Sequence, residues 1–215
     1  MASDKKGAGP FRLIATLGLA GLFSGLVLVT VYLATQPLIL ENQAKALEAA
    51  IYQVVPGSET RKAYVVEDGK LVPFNAQGNN LPSGDAVFAA LDAQGKLVGF
   101  GIPSEGAGFQ DTIKLIYGYN PENKRVTGMQ VLESRETPGL GDKIIKDLNF
   151  LSNFENLAIE PEVVSVAAGS KKNENEVDSI SGATISSKAI VKIINSGNSK
   201  YLSLISALME SEEKP

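Results

Sequence analysis

Asp178-Ser179-Ile180-Ser181-Gly182-Ala183-Thr184-Ile185-Ser186-Ser187 is the stretch on which the reading of this chain turns. Behind it lie segments with strand and turn signals, and ahead of it the pattern is helical. Ile185, Ala189, Ile190, Ile193 and Ile194 recur at helical spacing, so an apolar stripe begins just after Thr184. The hydroxyl run therefore sits at a helix N-terminus, with Ser181 as the expected N-cap. The first N–H groups of a helix lack carbonyl partners and lie at the positive end of its dipole, which favours a phosphate. Gly182 lets the backbone approach a ligand or adopt a positive φ. Ser186, Ser187 and Lys188 are additional donors. A capped helix start without any ligand accounts for the same hydroxyl pattern.

Working upstream, residues 63–66 and 70–74 flank Asp68-Gly69, a two-residue hairpin signal. Residues 85–91 and 96–102 flank Asp92-Ala93-Gln94-Gly95, and 113–119 and 125–133 flank Pro121-Glu122-Asn123-Lys124. These pairs predict a mostly antiparallel sheet. A short helix is expected over 142–148, one more strand over 163–167 and a polar loop over 171–178. Downstream, 184–195 and 199–209 read as two helices separated by Ser196-Gly197, followed by a charged tail at 211–215. Strands followed by helices make the expected fold class α+β.

The N-terminal region is different. Residues 13–40 carry no charge, and the core LIATLGLAGLFSGLVLVTVYLA is long enough to cross about 30 Å of hydrocarbon as a helix. The run is too long for a signal-peptide core, and no small-x-small cleavage pattern follows it. A transmembrane helix is expected over 13–36. The tail 1–12, with Lys5, Lys6 and Arg12 against Asp4, is expected to stay cytoplasmic, which puts the bulk of the chain outside a bacterial inner membrane as a single-pass protein. Pro37 marks a point where this helix is expected to end or bend. Residues 37–60 then read as an amphipathic helical connector, with Leu40, Ala44, Leu47, Ala50 and Ile51 at helical spacing and Pro56-Gly57 as its stop. Residues 61–210 suit one domain.

Composition narrows the chemistry. The formal charge is −4, from 20 basic and 24 acidic residues, and no basic cluster of the kind that binds phosphate backbones is present, so nucleic acid is excluded as a partner. The chain contains no Cys, no His and no Trp. Disulfides, thiolate iron–sulfur ligation, a Cys nucleophile and a Ser-His-Asp triad are therefore ruled out. No G-x-S-x-G occurs, and S-x-x-K spacings start only at Ser3 and Ser211, inside the charged tails. No calcium-loop pattern is present, and no metal site is expected. Redox chemistry in such a chain belongs to a cofactor held by something other than Cys or His.

Asp178-x-x-Ser181-Gly182-Ala183-Thr184 resembles the flavinylation motif D-x-x-(S/T)-G-A-T of the FMN-binding domain family. The resemblance implies FMN joined through its phosphate to the Thr184 hydroxyl. Ser181, Gly182 and Ala183 would form the phosphate loop, with Ile185 and Ser186 completing the turn. It also implies attachment by an FAD-dependent flavin transferase, with Asp178 assigned to transferase recognition. Glu136-Thr137-Pro138-Gly139-Leu140-Gly141-Asp142-Lys143 resembles a second segment of the same family, E-T-P-G-L-G-D-K. That segment lies against the flavin, which makes Glu136, Thr137, Leu140 and Gly141 the expected ring contacts. The family often has a His two residues before the Glu, where this chain has Ser134. Glu105-Gly106-Ala107-Gly108-Phe109 also looks family-like, as a loop before the next strand.

The whole layout is similar to the G subunits of Rnf-type electron-transport complexes. The resemblance implies a membrane-anchored electron-transfer subunit with no independent catalysis. Its partners would be iron–sulfur and flavin subunits, in a translocase that couples ferredoxin/NAD electron transfer to sodium or proton movement. The C subunit of sodium-pumping NADH:quinone oxidoreductase, a stand-alone extracytoplasmic flavin reductase and a non-catalytic anchored module are the competing readings.

Overall fold

The computed structural model describes residues 9–74, 82 and 85–212. Most of the expected N-terminal tail, including Asp4, Lys5 and Lys6, lies outside the described residues, as do 213–215 of the charged tail. The chain divides into two compact units, residues 1–43 and 44–215.

The first unit is the apolar part of α1, Pro10–Val54, a single helix of 45 residues. Among the described residues it is the one helix long and apolar enough to cross a membrane. Leu17, Leu22, Phe23, Leu26 and Leu28 are all exposed along it, as side chains solvated by hydrocarbon are. Pro37 lies inside the helix and does not end it. Proline withdraws one N–H and crowds one carbonyl, a local cost that an otherwise continuous apolar helix absorbs.

The second unit takes in the end of α1 from Ala44, so the expected 37–60 connector is not a separate element. A seven-stranded sheet follows, with every neighbouring pair antiparallel. Its strands are β1 Thr60–Glu67, β2 Lys70–Phe74, β3 Ala86–Leu91, β4 Leu97–Ala107, β5 Thr112–Asn120, β6 Arg125–Glu133 and β7 Leu157–Ala158, in the order β2-β1-β3-β4-β5-β6-β7. The helices are α2 Lys143–Lys146, α3 Leu148–Ser152 and α4 Thr184–Glu212. A separate parallel pair joins β8 Val164–Val166 to β9 Glu176–Asp178.

Local turn chemistry explains the hairpins. Asp68 and Gly69 have φ of 49° and 73°, the two positive values that a type I′ turn demands. β4 runs past the expected end at Ile102 and absorbs Glu105 and Gly106, which read as loop. The long partner β5 provides the ladder, pairing Lys114 with Glu105 and Ile113 with Gly106. β9 replaces the end of the expected polar loop, held by its register with β8.

Alternation along β5 sends side chains to opposite faces. Ile113, Leu115 and Tyr117 join Ile190, Ile193, Ile194 and Tyr201 of α4 in the larger core cluster. Ile116 joins Ala50, Ile51 and Val54 of α1 in the smaller one. A helix thus covers each face. α4 is continuous through Ser196-Gly197, where two helices were expected. Gly197 is required by close approach to the sheet: a Cβ there would lie 2.5 Å from Ser104 Oγ and 2.6 Å from the Tyr117 hydroxyl. That hydroxyl donates to Asn198 Oδ1 at 2.9 Å.

Gly118 supports the other face. A Cβ there would sit 2.0 Å from the Val54 carbonyl oxygen and 2.2 Å from Thr127 Oγ1. Thr127 donates to that same carbonyl at 2.5 Å. Gly118→Ala is expected to push the last turn of α1 off the sheet and to destabilise the domain by about 1–3 kcal/mol, read as a lower denaturation midpoint.

Candidate functional site

The motif 178–187 folds as a strand end, a tight turn and a helix start. Gly182 has φ +83°, the left-handed conformation that favours glycine. Ala183 N–H donates to the Ile180 carbonyl at 3.0 Å and closes the turn. The first bond of α4 runs from Ser187 N–H to the Ala183 carbonyl at 2.9 Å. The cap position therefore belongs to Ala183 and not to Ser181. Ala183 has no side-chain oxygen to accept from the first helical N–H groups, and Ser187 braces the turn that precedes them. Its buried hydroxyl donates to the Ala183 carbonyl at 2.9 Å and accepts from Ile180 N–H at 3.0 Å. The N–H groups of Thr184, Ile185 and Ser186 precede the first helical bond. Ser181, Gly182, Thr184 and Ile185 are exposed, and Ala183 and Ser186 are buried.

Ser186 points inward, and what it meets organises the site. Its hydroxyl donates to Glu136 Oε2 in a short hydrogen bond. Glu136 Oε1 accepts from Phe109 N–H at 2.9 Å and from Gln110 N–H at 3.0 Å. Glu136 is buried, only 5% exposed. A Cβ on Gly108 would lie 2.5 Å from Glu136 Oε1, and one on Gly141 would lie 2.7 Å from Oε2. Three segments thus close on one carboxylate: the β4–β5 loop, the 136–143 segment and the start of α4. Glu136, expected to face the flavin ring, is turned inward by these donors.

Burial pushes the Glu136 carboxyl up, but the Ser186 hydroxyl and the Gln110, Phe109 and Asp111 backbone outweigh it, leaving the group below its ordinary value of 4.5. A depressed folded value means that this stabilisation is fully present above about pH 4.5 and is lost as pH falls through the folded value. Glu136→Gln keeps the shape and removes the titration. Its melting temperature should fall less steeply on acidification below pH 4.5 than that of the wild type, in thermal melts across pH.

The rest of the 136–143 segment forms a compact turn. Gly139 has φ +77°, and its N–H donates to Asp142 Oδ1 at 2.7 Å. Leu140 N–H donates to the Thr137 carbonyl at 3.2 Å. The Thr137 hydroxyl donates to Gln110 Oε1 at 3.1 Å. Ser134, at the position of the family His, accepts from Glu136 N–H at 3.3 Å. The half-exposed Leu140 reaches to 3.8 Å from where a Cβ of Gly182 would be, so the two motifs meet. Leu140, Ile185 and Phe109 are exposed apolar side chains, one on each segment that Glu136 joins. Phe109 is visible in the sequence only as part of a family-like loop, and Ser187 only as a further donor.

Asp178 is directed elsewhere: its Oδ1 accepts from Ser170 N–H at 2.9 Å and Lys171 N–H at 3.0 Å. It lines a cleft of about 390 Å³ with Lys143, Phe150, Asn153, Gly169 and Ser181. A larger hollow of about 520 Å³, lined by Phe88, Ser104, Gly197 and Tyr201, contains no residue of 136–143 or 178–187.

This arrangement is suited to binding and not to proton chemistry. An exposed hydroxyl stands on the first helical turn beside amides that favour an anion. Exposed apolar side chains next to it match a flat, largely apolar ring. The residues present thus fit a flavin phosphate ester.

Comparison with known proteins agrees with FMN binding. The FMN-binding domain family matches residues 108–198, a span that begins at the Gly108 side of the Glu136 staple and contains both motifs. The G subunit of the ion-translocating oxidoreductase complex of Methanosarcina acetivorans is 30% identical over 194 residues, covering 86% of this chain and 90% of that one. The G subunit of the proton-translocating ferredoxin:NAD(+) oxidoreductase complex of Clostridium ljungdahlii is 27% identical over 192 residues, covering 89% and 91%. Among solved structures, NqrC of Shewanella oneidensis superposes with a TM-score of 0.60 at 17% identity, covering 77% of this chain and 99% of that one, a likeness of fold alone.

Proposed function

Because the chain belongs to the G-subunit family of ion-translocating oxidoreductase complexes, we propose that its FMN is attached covalently, as a phosphoester to Thr184. The chain is an FMN-binding electron-transfer subunit of an ion-translocating oxidoreductase, anchored to the membrane by α1. The observation that carries the covalent reading is the exposed Thr184 hydroxyl on the first helical turn. The positive-φ turn at Gly182 precedes it, and the N–H groups of 184–186 stand ahead of the first helical bond.

When bound, FMN supplies the electron-carrying chemistry. The chain holds and shields it. Thr184 is the tether. The backbone amides at the start of α4 offset the phosphate charge. Leu140, Ile185 and Phe109 keep water from the ring. Glu136 keeps the three segments that carry these side chains in register.

We further read the tail with Lys5, Lys6 and Arg12 as cytoplasmic and the sheet domain as extracytoplasmic. The partners in this reading are iron–sulfur and flavin subunits that link ferredoxin and NAD to sodium or proton movement. An FAD-dependent flavin transferase matures the subunit. The test is intact-mass measurement of the chain from a host that makes the transferase. The expected result is the added mass of one FMN less one water, retained after denaturation; a colourless chain of unmodified mass overturns the reading.

A further inference from the structure

Asp178 ends β9, and its backbone and side chain are anchored to different elements. Its N–H donates to Asn153 Oδ1 at 3.2 Å, just past the end of α3. The Asn153 amide is itself fixed, donating to the Asn149 and Phe150 carbonyls at 2.9 and 3.1 Å. The Asp178 carboxylate reaches the other way and accepts from Ser170 and Lys171 N–H, in the loop that follows Gly169. The next residues are tied as well. Ser179 N–H donates to the Val166 carbonyl at 2.9 Å, and Ile180 N–H donates to the Ser187 hydroxyl at 3.0 Å. Residues 178–180 are each held by a hydrogen bond before the chain emerges at the exposed Ser181 and Gly182, just ahead of Thr184.

The loop that Asp178 holds is one wall of the 390 Å³ cleft that includes Ser181. Ala168 and Gly169 line one side of it, and Lys143, Asn149 and Phe150 line another. The carboxylate oxygen that bonds the loop is directed at backbone N–H groups of this same chain. This is a structural use of the motif acid, distinct from display to an incoming protein.

We infer that Asp178 is a positioning residue for flavin attachment, which fixes the 168–171 wall and the entry to the acceptor turn through its Oδ1 oxygen and is not read by the transferase through its charge. This inference rests on the reading of Thr184 as the attachment point. Asparagine keeps an Oδ1 acceptor and alanine does not, so the two substitutions separate the roles.

The test uses the full chain made without the transferase. Hydrogen exchange is followed at the Lys171 amide, since Ser170 N–H also donates to the Ala167 carbonyl at 3.0 Å, and the rate of flavin attachment is measured with added FAD-dependent transferase and FAD. Asp178→Ala is expected to lose protection at the Lys171 amide and to be flavinylated on the order of 10–100-fold more slowly, the scale of a misplaced reacting group. Asp178→Asn is expected to keep the protection and to recover the rate to within a few-fold. Gly169→Ala leaves Asp178 intact, strains the same loop at φ +71° and meets no atom within 4 Å, so it should slow attachment in the same sense. An Asp178→Asn chain as slow as Asp178→Ala with Lys171 protected would overturn the inference, because charge would then be what is recognised. An unchanged rate in Asp178→Ala would overturn it too. Failure of the Thr184 reading looks different: the wild type itself would take up no flavin, while the exchange pattern would stand.

Discussion

Thr184→Ala is expected to yield a folded chain that carries no covalent flavin. The Thr184 side chain is exposed, so its loss opens no cavity, and alanine is well tolerated in a first helical turn. Stability should change by about 0.5 kcal/mol or less. The internal organisation of the turn stays intact, because the bonds that close it join Ser187, Ala183 and Ile180 and none uses the Thr184 hydroxyl. What disappears is the oxygen that forms the ester. Flavin fluorescence on a denaturing gel and intact mass both report this directly. Thr184→Ser restores the oxygen and should restore the modification. A Thr184→Ala chain that still fluoresces after denaturation would move the attachment to another hydroxyl, with Ser181 the nearest exposed one.

Much of this architecture is legible in the sequence because its causes are local. Asp68-Gly69 predicts a hairpin because both residues tolerate positive φ, and the hairpin forms there. The apolar stripe after Thr184 predicts a helix because its period matches the turn, and α4 begins at Thr184. Features with distant causes are misread from the sequence or not visible in it. Gly197 looks like a helix break from its own propensity, but Ser104 and Tyr117 on the sheet decide why it is glycine. Ser181 looks like the cap because serine caps helices well. The positive-φ turn at Gly182 shifts the cap to Ala183, and Ser187 braces the turn through Ile180 N–H and the Ala183 carbonyl. Both motifs are visible, but nothing in either shows that Glu136 faces inward onto Ser186, a partner 50 residues away. The two-residue β7 carries no periodicity of its own and exists because β6 pairs with it.

Glu136→Ala is expected to damage the site at its centre. It removes at one stroke the acceptor of Phe109 N–H, Gln110 N–H and the Ser186 hydroxyl. One buried and two part-buried donors lose their acceptor together, and the combined loss should be about 2–4 kcal/mol. For a domain of this size that lowers the melting temperature by roughly 5–15 °C. Neighbouring side chains cannot fill the gap easily, since the residues packed against the carboxylate are Gly108 and Gly141. Flavin attachment at Thr184 should fall as well, although Thr184 is untouched, because the first turn of α4 is keyed to the other two segments through Ser186. Measuring the flavin-free chain separates this role from the one expected from the motif alone. If Glu136 were a ring contact, Glu136→Ala would change the flavin spectrum and leave the flavin-free melting temperature where it was. A carboxylate that joins three segments lowers that temperature before any flavin is present, and Glu136→Gln, which keeps an oxygen toward Phe109 and Gln110, should recover most of it at neutral pH.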